Sequence, residues 1–127
     1  MSIRPQYHFR PGPDGLLAWD VRRLIRLAEA LPVFDLPLRQ VAEVDENWWY
    51  AHEGVPTVRS IAGHARLADA ADLRFPILLC AEGRLMDGMH RAMKALVEGR
   101  EVVSARRFDV TPEPDYRNAD PSALPYD

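Results

Sequence analysis

Pro76-Ile77-Leu78-Leu79-Cys80, then Ala81-Glu82-Gly83-Arg84, then Leu85-Met86-Asp87-Gly88-Met89-His90-Arg91-Ala92-Met93-Lys94-Ala95: the architecture of this chain follows from these consecutive segments. An apolar run of five residues bounded by turn formers reads as a buried strand. Ala81-Glu82-Gly83 is a turn, and Arg84-Leu85-Met86 is the short returning strand. Asp87-Gly88 is a tight corner, because glycine adopts backbone conformations that other residues resist. A helix follows from about Met89 to Glu98, with Met89, Ala92, Met93 and Leu96 inward and Gly99 as its C′ residue.

Outward from this unit, Glu101 to Phe108 alternates valines and arginines and reads as a final strand. Upstream, Thr57 is placed to cap a helix from about Val58 to Ala70, with Val58, Ile61, Ala65 and Ala68 as its apolar stripe. Phe34, Leu36 and Leu38 alternate, and Pro37 puts that strand at an edge. Leu17, Val21, Leu24, Ala28 and Leu31 recur at helical spacing, which predicts an amphipathic helix over Leu16 to Leu31, capped by Asp14 and ended by Pro32. Residues 1–14 read as an arm or a first irregular strand. The reading is one α+β domain over residues 1–108, a mixed sheet packed with helices, followed by an extended or disordered proline-bearing tail over 109–127.

The chain has 127 residues, 47% of them hydrophobic, and a formal net charge of −3. That length suits one core without metal or disulfide staples. The acidic balance argues against duplex DNA binding by general charge. No apolar run approaches a membrane span, the N-terminus lacks a signal-peptide pattern, and one cysteine cannot form an internal disulfide. These features lead us to expect a cytoplasmic protein.

The Asp87–Arg91 corner carries the chemistry. A helix N-terminus presents free N–H groups and the positive end of the helix dipole, which suits an anion such as phosphate. Asp87 is placed to cap this helix from Gly88 onward. Arg91 offers a bidentate donor and Lys94 a further positive charge. His90 can donate to the anion or shuttle a proton. His64, beside the apolar stripe of the preceding helix, is a candidate base facing the same corner. No compact metal-ligand spacing is present, and no metal ligands are assigned. In Trp48-Trp49-Tyr50 neighbouring side chains point opposite ways, so one tryptophan is expected in the core and the other partly exposed, able to cover a ligand or meet a protein partner or a second copy.

The order of strand, turn, Asp-Gly-Met-His-Arg, alanine-rich helix and strand resembles the core motif of the ParB/sulfiredoxin-like superfamily, most clearly from Asp72 to Phe108. The resemblance implies that Gly88, Met89, His90 and Arg91 hold phosphates while Asp87 fixes the corner. Sulfiredoxins carry a cysteine where this chain has Met89, and a thioether cannot be their nucleophile, which argues against that activity. ParB proteins bind CTP at such a corner and DNA through a following helical domain that this sequence lacks, so direct DNA binding is not expected. The motif looks closest to that of the free-serine kinases. That branch implies ATP or ADP with Mg²⁺, a small hydroxyl acceptor, and a glutamate after the first core strand, for which Glu46 is preferred over Glu43 and Asp45. Two readings follow: a phosphate- or nucleotide-binding protein that transfers phosphate, or a non-catalytic regulatory or partner-binding module.

Overall fold

The structure, a computed structural model, describes residues 6–126. The elements are β1 (Tyr7–Gly12), β2 (Gly15–Asp20), α1 (Val21–Ala28), β3 (Phe34–Pro37), α2 (Tyr50–Glu53), α3 (Val58–Ala70), β4 (Ile77–Leu79), β5 (Leu85–Asp87), α4 (Met89–Val97) and β6 (Val102–Arg107). Short 3-10 turns lie at Leu38–Gln40, Ala42–Asp45 and Pro121–Ala123. The strands form a β1–β2 hairpin and a four-stranded sheet ordered β3-β6-β4-β5, in which β4 and β6 are parallel and the other neighbours antiparallel. A parallel pair cannot be joined by a hairpin, and β5 with α4 supplies the crossover. The result is a small single domain of mixed α/β content, with β3 at a sheet edge as Pro37 requires. None of its described helices is long and apolar enough to cross a membrane.

The apolar run in β4 is explained by layers on both faces of the sheet. Ile77 and Leu79 join Leu36, Leu85, Val103 and Ala105 in a core closed by Met89, Ala92 and Ala95 of α4. Leu78 and Cys80 point the other way, into a second core with Trp19, Leu24, Ala28, Met86 and Phe108. Each of the valine, leucine, isoleucine, methionine and phenylalanine side chains in these cores stabilises the fold by roughly 1.5–3 kcal/mol when fully buried. Cys80 is a buried free thiol within that second core.

Thr57 caps α3 as expected, with Ser60 completing a reciprocal box: each side chain accepts from the other's backbone N–H. Gly99 closes α4 at φ 71°, and the Arg100 and Gly99 amides donate to the carbonyls of Ala95 and Leu96. That is the 6→1, 5→2 pattern of a Schellman stop.

Four expectations need correction. The helix predicted from Leu16 begins at Val21, because Asp14-Gly15 closes the β1–β2 hairpin and Asp20, not Asp14, caps α1 through the Arg22 amide. Residues 7–12 are a regular strand, registered from Tyr7 opposite Asp20 to Gly12 opposite Gly15, and the first five residues of the predicted arm lie outside the described residues. Three of the four residues in the stripe predicted for α3 face outward, Val58 at 87% exposure, Ile61 at 51% and Ala65 also exposed; Ala68 is buried as expected and shares the inner row with Ser60 and His64. Leu96 is exposed and Ala95 takes the inward place on α4.

The C-terminal segment is extended and bonded to the hairpin. The Trp19 indole donates to Pro112 O at 2.7 Å, Ala18 exchanges backbone bonds with Tyr116, and the Ala119 amide donates to Leu16 O.

Candidate functional site

The corner is built by Gly88, which adopts φ 110° and ψ 23° at the N-cap of α4. Asp87 does not cap this helix as expected. Its Oδ2 instead accepts from Arg91 Nη2 at 2.8 Å, an i, i+4 ion pair in which both side chains are largely buried. Among the described residues nothing accepts from the amides of Met89, His90 and Arg91, the orphan donors of the first turn. Met89 itself is buried in the first core.

The two cations assigned to phosphate are engaged within the fold. Arg91 Nη1 donates to Phe75 O at 3.1 Å and to Pro76 O at 2.6 Å, so its fork ties α4 to the segment entering β4. Lys94 Nζ donates to the carbonyls of Asp69 and Ala71, at 2.9 and 2.8 Å, and satisfies the C-terminal end of α3. The sequence shows the charges of these residues but not that chain-distant carbonyls lie within their reach.

His90 and His64 do meet. His90 Nε2 lies 2.9 Å from His64 Nδ1, and His64 Nε2 lies 2.9 Å from Glu53 Oε2. The indole of Trp49 stacks on His64 with centroids 3.8 Å apart and planes 10° from parallel, and lies 5.1 Å from His90. Tyr50 meets His64 edge-on, and its hydroxyl is 3.1 Å from Ser60 Oγ. The local chain accounts for this cluster. Asn47 Oδ1 accepts from the Tyr50 amide to start the single turn α2, and that turn brings Trp49 and Glu53 to one side at i, i+4. The inner row of α3 then places His64 between Glu53 and α4. Burial, followed by the positive charge that His64 can carry, holds the His90 imidazole below its ordinary pKa.

Glu46 belongs to a different cluster. Its two carboxylate oxygens take Arg84 Nη2 and Nη1 at 2.8 and 2.9 Å, and that guanidinium holds its pKa below the usual carboxylate range. Glu43 is buried against Arg84 Nε at 3.0 Å and the Leu85 amide. Neither carboxylate bonds to His64 or His90. Glu53, the acid that bonds to His64, is not among the residues singled out from the sequence; the available signal is its i, i+4 spacing from Trp49 beside a helix carrying an inward histidine. Trp48 and Trp49 are both half-buried and both pack on the first core, so neither is the fully buried tryptophan expected; their rings differ in partner, Trp48 stacking on His8 and Trp49 on His64.

No group of three or more His, Cys, Asp or Glu side chains among the described residues is arranged to hold a metal ion. No protein-family model matches the sequence, and neither a curated protein nor a solved structure matches it significantly.

Proposed function

We propose that this chain binds a phosphate-bearing ligand at the first turn of α4, in the manner of the ParB/sulfiredoxin-like proteins its motif resembles. A nucleotide of the ATP, ADP or CTP type with Mg²⁺ is the ligand class, and transfer of phosphate to a small hydroxyl compound is the chemistry. The observation that carries this reading is the set of unbonded first-turn amides of Met89, His90 and Arg91, beside an imidazole pair able to take a proton. Backbone donors and the helix dipole supply the anion's partners. Asp87, Arg91 and Lys94 hold the helix that presents them, so Gly88 and these three shape the site while His90 and His64 serve it as acid–base groups. Glu46, held ionised by Arg84, is a weak base in this setting and belongs to the support of β5.

The engagement of Arg91 and Lys94 with backbone carbonyls favours a second reading, a non-catalytic module that binds a regulatory ligand or a partner. Thermal melts with Mg-ATP, Mg-ADP, Mg-CTP and pyrophosphate separate the two. A nucleotide at one hundred times its Kd should stabilise the fold by about 2.7 kcal/mol. The His90→Glu variant should lose that gain, because a carboxylate at the helix start repels the anion. Flat melts with every ligand reject the phosphate site and leave the second reading. Transfer further requires nucleotide consumption that depends on a hydroxyl acceptor.

A further inference from the structure

We propose that Glu53, His64 and His90 form one proton relay whose outlet is His90 Nδ1 at the first turn of α4, with Glu53 as the positioning residue that sets its direction. The inference rests on the phosphate-site reading only for the identity of the hydroxyl that His90 would serve.

The hydrogen-bond partners fix the proton positions. His64 Nε2 faces the Glu53 carboxylate at 2.9 Å, which can only accept when ionised, so Nε2 carries the hydrogen. The neutral ring then has its lone pair on Nδ1, which faces His90 Nε2 at 2.9 Å. His90 therefore donates from Nε2 and keeps its own lone pair on Nδ1, to which no described residue is bonded. A proton leaving a hydroxyl oxygen is taken by His90 Nδ1. The Nε2 proton of His90 passes to His64 Nδ1, and His64 becomes the imidazolium while His90 returns to neutral with its proton on Nδ1. One proton enters at His90 and one charge appears on the next ring, His64.

The surroundings favour that charge on His64. The Glu53 carboxylate lies against one edge and the Trp49 face covers the ring at 3.8 Å, a stacked geometry that stabilises a cation. The charged and titratable groups facing the pair are Glu53 and Tyr50 from α2, Asp87 from the end of β5 and Arg91 from α4. Asp87 and Arg91 are paired with each other, so Glu53 is the uncompensated charge. The depressed pKa of His90 agrees with a pair that resists a second proton.

Nitrogen-15 NMR of the imidazoles in the ligand-free full chain tests this. In the wild type above pH 7, both rings should show Nε2–H tautomers. Glu53→Gln keeps an acceptor but removes the charge, and should lower the midpoint of the pair's first protonation by about one pH unit or more. An Nδ1–H tautomer at His90, or a midpoint unmoved in Glu53→Gln, overturns the relay. Should that variant not fold, the wild-type tautomers decide alone. With no nucleotide in the sample, flat ligand melts do not alter the result, and a failed relay leaves the phosphate site standing.

Discussion

A Cβ placed on Gly88 would lie 2.6 Å from Cγ2 of Ile77 and 3.1 Å from its Cα. The corner therefore needs glycine twice, for its φ of 110° and for the approach of its backbone to the central strand. Because Ile77 is fully buried in the first core, it cannot move aside. Gly88→Ala should destabilise the fold by about 2–5 kcal/mol, combining left-handed strain with overpacking. Urea unfolding measures it; a loss below about 1 kcal/mol would mean that the corner relaxes.

Arg91 joins three acceptors: the carbonyls of Phe75 and Pro76 and the Asp87 carboxylate. Arg91→Ala should cost about 2–3 kcal/mol even without ligand, since it leaves largely buried Asp87 without its cation. Arg91→Lys should recover little, because one ammonium cannot reproduce the fork. Full recovery by lysine in urea unfolding would show that charge alone matters here, and would restore Arg91 as a candidate anion ligand.

The central unit was legible because each part makes its own demand on the backbone. Five apolar residues need cover on both faces, Asp-Gly needs a corner, and Gly99 needs a left-handed stop. Elsewhere a local pattern met a stronger constraint. Leu17 fits the helical spacing of Val21 and Leu24, yet the hairpin turn at Asp14-Gly15 commits it to a strand. For α3 the 3.6-residue period gives the angle between residues but not which side docks, and His64, bonded to α2 and α4, sets the inner row. The corner itself was readable; the partners of Arg91 and Lys94 were not, because their carbonyls come from segments 15 to 25 residues away in the chain.

Stability should rise with pH across the imidazole range. His90 in the fold binds its proton less readily than the ordinary value of 6.5. Between that value and its lowered folded pKa, the unfolded chain binds more protons, so acidification favours unfolding. The depressed carboxylates Asp20, Glu46 and Asp72 act at lower pH, Asp72 being drawn down to about 2 by Arg74. Unfolding free energies measured from pH 7.5 to pH 5 should therefore fall in the wild type and fall less in His90→Gln. Equal slopes would remove His90 as the source.

Trp19 anchors the C-terminal segment to the fold. It is 3% exposed, donates to Pro112 O, and shares the second core with Leu24, Met86 and Phe108. Ala18 and Leu16 beside it hold Tyr116 and Ala119 through the backbone, and Asp115 accepts from the Asp20 amide and from Arg23. Removing residues 112–127 breaks these bonds together and opens one side of the tryptophan to water. The lost bonds are offset in part by the entropy regained by the segment, leaving an expected cost of about 2–4 kcal/mol. Tryptophan emission should shift to the red and the urea midpoint should fall. Trp19→Phe in the full chain, which keeps the apolar contact but not the donor, should lose about 1 kcal/mol. If truncation changes neither emission nor midpoint, the segment is not a structural part of the hairpin layer.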